Sequence, residues 1–409
     1  MNIAYAIWLE SLKSPILKGQ VIEILKEINK LSFKINIYFF AFQPAHRILL
    51  HYQEFQNIKK ELNNSNIKLI IIPCLILPRI IDWFNAKWYI IPLIFIYTFP
   101  KLLFLVYYYN INILHCRSYP IMLSAVITKK VKNGIKIIFD PRSPFPEENI
   151  TAHRWDASSF SYKLWKKLEK LYLKESDATI AITSTYIEHF KKISPQSFFF
   201  VIPNNVNTKK FLPNHKSHKQ LRSKFCLAEN EIIFVYSGSL GNHWNNPDIY
   251  ARLIIKLREL DIKHKFLFLT SDKMILKETF DKYEIKDDEY INVCVDFDDV
   301  PKYLSIADFG MNLMDKKDIR MSIKTCEYLA MGLPVITNLN VLGAKEIVER
   351  YKVGLVIKDI ENININEIKN IINEKESISQ KARKLAIEKY STNKVAKQYL
   401  NLYKTIYNI

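Results

Sequence analysis

Residues Arg320–Asn338, R-M-S-I-K-T-C-E-Y-L-A-M-G-L-P-V-I-T-N, decide how this chain is read. Ser322 stands where a helix N-cap belongs, ahead of a run carrying Ile323, Lys324, Glu327, Tyr328 and Ala330. Gly332 supplies the left-handed residue that ends such a helix. Leu333–Thr337 then reads as a short apolar strand, with Pro334 near its start, where no ladder donor is needed. Lys324 and Glu327 are three apart and share one helix face. A helix start carrying a cation and a carboxylate suits a nucleoside diphosphate: amides and ammonium for the phosphates, carboxylate for the ribose diol. A surface ion pair on an ordinary α/β helix is the plainer reading of the same spacing.

The same helix–strand alternation runs outward in both directions. Strands are expected at Asn2–Leu9, Lys34–Phe42, Ile67–Pro73, Ile111–Cys116, Ile135–Phe139, Ala178–Thr183 and Phe198–Ile202. The second half restarts at Ile232–Tyr236 and continues through Phe266–Thr270, Ile291–Val295 and Phe309–Leu313. Helical patterns lie between them, one opening at Gly19, another over Ser159–Glu175 and a last one over Val395–Tyr407. Strands alternating with helices imply parallel, doubly wound sheets, and 409 residues suffice for two cores. Such sheets bind ligands at the carboxyl ends of their strands. That edge lets Arg117, Asp140, Arg142, Glu147 and Glu148 converge on one cleft in the first half; the turn with Gly19 follows the first strand, and the loop with Gly238 and Ser239 follows Ile232–Tyr236.

Composition narrows the function. Hydrophobic content of 49% and a mean hydropathy of −0.07 describe a globular chain. The net charge is +18; residues 1–205 hold 26 basic and 14 acidic groups, so the first half is the more basic. Spread-out lysines without an arginine-rich run or nucleic-acid motif argue against nucleic acid and leave an anionic membrane or an acidic substrate. Five scattered cysteines without a C-x-x-C pair support neither zinc nor disulfides, and a reducing cytoplasm fits. Met1 leads almost directly into a strand, with no cleavable leader pattern. Asp296, Asp298 and Asp299 spell D-x-D, but they precede Val300-Pro301 and read as helix-capping acids, not metal ligands. Residues 80–109 are the most aromatic part of the chain. A pair of helices is expected there, and core packing, contact with bilayer headgroups and a true span all remain open readings.

The string S-I-K-T-C-E-Y-L-A-M-G-L-P-V-I-T resembles the P-x-K-x-x-E-Y-L-A-x-G-x-P-V-I segment of retaining glycosyltransferases of family 4. Other segments agree in order: H-C-R-S-Y at 115–119, F-D-P-R-S with Glu147-Glu148, and I-P-N-N-V-N at 202–207, which resembles the family's inter-domain hinge. The resemblance implies the GT-B fold, two Rossmann-like doubly wound parallel-sheet domains facing a central cleft. It divides the chain into an acceptor-side domain over 1–205, a nucleotide-sugar domain over 206–390, and a helix over 391–409 packing back on the first. It also implies transfer of a sugar from a nucleotide-diphosphate sugar to an acceptor hydroxyl with retention. The acceptor would be a lipid-linked glycan of bacterial surface polysaccharide (capsule or O-antigen), reached from the cytoplasm at the inner membrane face.

By that resemblance Gly238, Ser239, Arg320, Ser322, Lys324 and Glu327 bind the donor, while Gly19, Arg117, Asp140, Glu147 and Glu148 lie on the acceptor side. Lys324, Arg142 and His115 are the catalytic candidates, with no metal and no cofactor beyond the donor. The chain departs from the pattern at Ile319, where a first glutamate is frequent, and at Ser239, where an arginine is usual, with no following lysine. Those departures keep a catalytically silent partner subunit and a membrane-associated scaffold as alternatives. A sugar-nucleotide 2-epimerase of the same fold is disfavoured by K-x-x-E-Y-L-A and by the absence of that family's histidine-rich sites.

Overall fold

The computed structural model describes residues 1–74, 87–241 and 245–408. It divides into two compact units, Met1–Pro203 with Val395–Ile409, and Asn204–Lys394.

The first unit is built on a seven-stranded sheet of β1 (Asn2–Trp8), β2 (Asn36–Pro44), β3 (Ile67–Cys74), β4 (Ile113–Arg117), β5 (Lys136–Asp140), β6 (Ala178–Ala181) and β7 (Phe199–Val201). Their order is β3-β2-β1-β4-β5-β6-β7, and each described pairing is parallel. β1, β4 and β5 carry no polar alternation because helices cover both faces. The final helix, Thr392–Tyr407, belongs to this core through Val395, Tyr399, Leu402, Tyr403 and Ile406.

The second unit repeats the plan with β8 (Ile232–Ser237), β9 (His264–Leu269), β10 (Tyr290–Val293), β11 (Phe309–Asn312), β12 (Val335–Asn338) and β13 (Gly354–Ile357), ordered β10-β9-β8-β11-β12-β13. In both sheets the order reverses beside the first strand, so β1/β4 and β8/β11 are switch points where ligands bind.

The sequence reading anticipates twelve of these strands and misses β13, whose Gly354 hides it. A Cβ there would lie 2.0 Å from the Val335 carbonyl oxygen, so glycine is what lets β13 sit against β12. Ser159 caps Phe160–Glu175 as expected, accepting from the Tyr162 amide. Asn364 caps Ile365–Asn373, its side chain accepting from the Asn366 amide. Asp299 occupies the N-cap of Val300–Leu304 without a side-chain capping bond, and Asp298 instead pairs with Lys210 at 2.5 Å. Asn205 is not left-handed, and its side-chain amide donates to Thr392 Oγ1 at 3.3 Å.

In the aromatic region one helix, Ile90–Tyr108, runs unbroken through Pro100. Pro100 is exposed, and the Ile96 carbonyl it leaves without a helical donor belongs to an exposed residue that water reaches. The rest of the expected helix pair, with Trp83 and Phe84, lies outside the described residues. The five cysteines are free, and Cys226 and Cys294 are exposed rather than core residues.

Candidate active site

In the second unit the site forms where β8 ends. Gly238 takes φ +139°, a conformation few side chains tolerate, and its amide donates to the Leu269 carbonyl at 3.0 Å. Tyr328, on the helix Ile323–Ala330, clips this turn from below by accepting from the Ser237 amide at 2.9 Å. Tyr236 donates to the Ser239 carbonyl at 2.6 Å, and the Leu240 amide donates to Asp272 at 2.7 Å. Tyr236, Asp272 and Tyr328 therefore shape the loop, and the sequence reading assigned none of them. The Y in E-Y-L-A was the available signal.

Lys324 reaches under this loop. Its ammonium lies 4.1 Å from the Tyr236 ring centroid, and a Cβ on Gly238 would stand 3.3 Å from it. Lys324 Nζ is buried and has no hydrogen-bond partner among the described residues. Burial pulls its pKa down to about 7, with Glu327 opposing. Burial pushes the Glu327 carboxyl up to about 7, with Lys324 and Lys210 opposing. A buried amine without an acceptor is costly, and a ligand oxygen would remove that cost.

Two donor-side assignments change. Arg320 is folded onto its own loop, with Nε and Nη2 on Asp318 at 2.8 Å each. Asp318 in turn accepts the Leu342 amide through its backbone carbonyl at 3.0 Å. Arg320 therefore braces the approach to the helix. Ser322 holds the N-cap backbone angles, yet its hydroxyl makes no capping bond. Gly343, in the helix Leu342–Tyr351, is needed for contact: a Cβ there would lie 2.7 Å from the Arg320 carbonyl oxygen.

In the first unit three non-glycine residues with left-handed backbone, Leu9, Ser118 and Arg142, follow the adjacent strands β1, β4 and β5. Clustered backbone strain of this kind marks functional edges. Beside them Arg117 grips Glu10 through Nε at 2.8 and 2.9 Å, while its buried Nη1 finds no hydrogen-bond partner among the described residues. Arg142 donates to Gln20 Oε1 at 2.7 Å and faces Asp140 at 3.5 Å. Burial raises the Asp140 pKa, but Arg142, His115 and Arg117 outweigh it and hold the carboxyl at about 2. Glu10 and Gln20 were missed, although both sit at the strand end where such groups gather.

His115, a catalytic candidate in the sequence, lies beneath this edge. It has no exposed surface, its Nδ1 meets Tyr403 Oη at 2.8 Å, and its Nε2 meets Asp140 at 3.3 Å. Burial lowers its pKa, with Asp140 opposing, which favours the neutral ring. Glu147 and Glu148 also part company. Glu148 accepts from the Ser143 hydroxyl at 2.6 Å and stays with the Arg142 loop. Glu147 turns inward to Lys166 at 2.7 Å, in a knot with buried Glu169. Glu147, Glu169 and His189 bring possible ligand atoms within 4.8 Å of one another, but the Lys166 ammonium already pairs with both carboxylates. At Gly19 an added Cβ would meet no described residue within 4 Å beyond its own helix backbone and chain neighbours, so packing among the described residues does not require glycine there.

Two parallel sheets of this order, the second with a lysine–glutamate pair at a helix start beside its switch point, define a glycosyltransferase of the GT-B fold. Residues 49–210 match the profile of Glycosyltransferase Family 4, and residues 289–399 match that of the Glucosyltransferase 3-like C-terminal domain. The chain is a glycosyltransferase that carries a family 4 match in its first half and a Glucosyltransferase 3-like match in its second. No curated protein matches it in sequence.

Solved structures share the fold. A glycosyltransferase from Rickettsia africae is 16% identical, with TM-score 0.71 over 99% of this chain and 98% of its own. Sucrose-phosphate synthase from Thermosynechococcus elongatus is 14% identical, with TM-score 0.71 over 100% and 99%. Anabaena HepE in complex with UDP and glucose is 13% identical, with TM-score 0.67 over 99% and 100%.

Proposed function

We propose that this glycosyltransferase moves a sugar, with retention, from a nucleotide-diphosphate sugar to a hydroxyl of a lipid-linked glycan in bacterial surface polysaccharide synthesis. It works without a metal at the inner face of the cytoplasmic membrane. The observation that carries the donor half is Lys324, whose buried amine lies 3.3 Å from where a Cβ on Gly238 would stand and has no acceptor among the described residues.

In this reading the donor diphosphate lies against Gly238 and the first amides of the helix Ile323–Ala330. The Lys324 ammonium neutralises the diphosphate as it departs, and Glu327 holds the ribose diol. Ser239 and the loop amides take the place of the usual arginine. On the acceptor side, ionised Asp140, held by neutral His115 and by Arg142, offers an acceptor hydroxyl a fixed carboxylate neighbour. UDP is the first nucleotide to try, since the Anabaena protein was solved with UDP and glucose, and an E. coli trehalose-6-phosphate protein with UDP-2-fluoro glucose.

The test is a thermal-shift titration with UDP, GDP, CDP and their sugars on the wild type and Glu327→Ala. A ligand at a hundred times its Kd stabilises the folded state by about 2.7 kcal/mol. One nucleotide class should raise the melting temperature of the wild type and not of the variant. No shift with any nucleotide would sink the donor assignment. It would favour the silent partner subunit, for which serine at 239 is the supporting feature.

A further inference from the structure

We propose that the outward face of the helix Ile90–Tyr108 docks this protein on an anionic lipid surface, its aromatic side chains entering the headgroup layer. The proposal deepens the reading above and rests on it only for a lipid-linked acceptor.

The helix is apolar all round, with a mean hydropathy of 2.0, and is long enough to cross a bilayer by length and composition. Such a helix must be covered on every side or meet lipid. One face is covered: Ile94, Thr98, Leu102, Leu105 and Val106 are buried, and Thr98 Oγ1 is bonded to Ser124 of the helix Met122–Val131. The opposite face is bare. Leu93, Ile96, Phe104, Tyr107 and Tyr108 fall on one side at helical spacing, with Ile96 62%, Phe104 63% and Tyr108 67% exposed. From Leu93 to Tyr108 this stripe runs about 22 Å along the axis. A transmembrane course is ruled out by the neighbours, because the chain leaves β3 and returns to β4 of the same sheet, and the Thr98 side packs on protein.

Charge selects lipid over a second protein. From Lys87 to Phe139 the chain has seven Lys or Arg and no Asp or Glu; Arg117 is held by Glu10, and Lys129 and Lys136 by Asp177, which leaves Lys87, Lys101, Lys130 and Lys132 around the helix. Lysines flank the helix's tyrosines: Lys101 lies over Tyr97 at 5.4 Å, and Lys132 over Tyr107 at 5.1 Å. Lys87 and Lys130 are exposed nearby in the chain. Tyr and Trp with interleaved Lys is the chemistry of a headgroup region, and each basic residue near an anionic leaflet adds attraction that salt screens.

The test is flotation of the full chain with vesicles of phosphatidylcholine alone or with phosphatidylglycerol. Wild type should float with the anionic vesicles and be released by salt. Ile96→Glu/Phe104→Glu should lose about tenfold or more of that binding. Met274→Glu, which changes an exposed apolar residue of the second unit, should bind like wild type. Leu93→Ser serves as a milder variant should the double one melt early. Wild type that fails to float, or face variants that float undiminished, would overturn the proposal. So would a dimer in solution that Ile96→Glu/Phe104→Glu converts to monomer, which assigns the face to a second copy. Nucleotide thermal shifts run on the same proteins separate the two readings: floating without nucleotide binding keeps the face and rejects the donor site.

Discussion

Lys324 is held in the low-dielectric space between the Tyr236 ring and Gly238, and its pKa of about 7 reflects that burial. In the unfolded chain the same amine titrates near its ordinary value of about 10.4. The unfolded state therefore binds more protons between those two values, and from Lys324 alone the ligand-free protein becomes more stable as pH rises above 7. Donor binding carries the opposite slope. A diphosphate favours the protonated amine, so binding takes up a proton above pH 7 and Kd rises by up to about tenfold per pH unit there. Titrating nucleotide from pH 6.5 to 9 on wild type and Lys324→Met checks this. The variant should bind more weakly at pH 6.5 and show a flat profile above 7, and a slope unchanged in the variant would remove Lys324 from the phosphate site.

Between elements, the donor loop depends on how closely the helix Ile323–Ala330 approaches β11. Gly310 permits that approach: a Cβ there would stand 2.4 Å from two atoms of the Tyr328 ring, which cannot yield without moving its hydroxyl off the Ser237 amide. Gly310→Ala should cost about 1–3 kcal/mol of stability, as overpacking does. It should also weaken nucleotide binding, because the end of β8 loses its clip. Denaturant unfolding with a nucleotide titration on the folded variant reads both, and a variant of wild-type stability would show that Tyr328 has room to move. Gly310 was legible only as an unremarkable residue in an apolar strand, since what stands opposite a strand is not written in its own residues. Ser159 shows the reverse: its cap follows from local sequence because its acceptor and donor are three residues apart.

At the scale of the molecule, the last helix closes the first unit's core from the far end of the chain. Tyr403 bonds buried His115, and Tyr399 stacks on it at 5.7 Å, so residues 395–409 also keep Asp140 in place. Deleting 395–409 should strip Val395, Leu402, Tyr403 and Ile406 from that core. The expected product binds a hydrophobic dye, loses near-UV circular dichroism and melts without a cooperative transition in its first unit. A soluble truncation that melts as sharply as the full chain would mean the helix is an accessory.

The sequence by itself determined the alternation of strands and helices, the two-sheet plan and the Lys324–Glu327 helix start, because period, caps and turn glycines are local properties. Residue identity also placed Arg117, Asp140 and Arg142 at the proper sheet edge. Only the tertiary structure decided which of these groups still face outward. It buried His115 against Tyr403, turned Glu147 toward Lys166, folded Arg320 onto Asp318 and left Lys324 without an acceptor among the described residues. Each of those outcomes depends on a partner distant in the chain or on the course of a loop, and desolvation and pairing are set by such partners rather than by a residue's own neighbours in sequence.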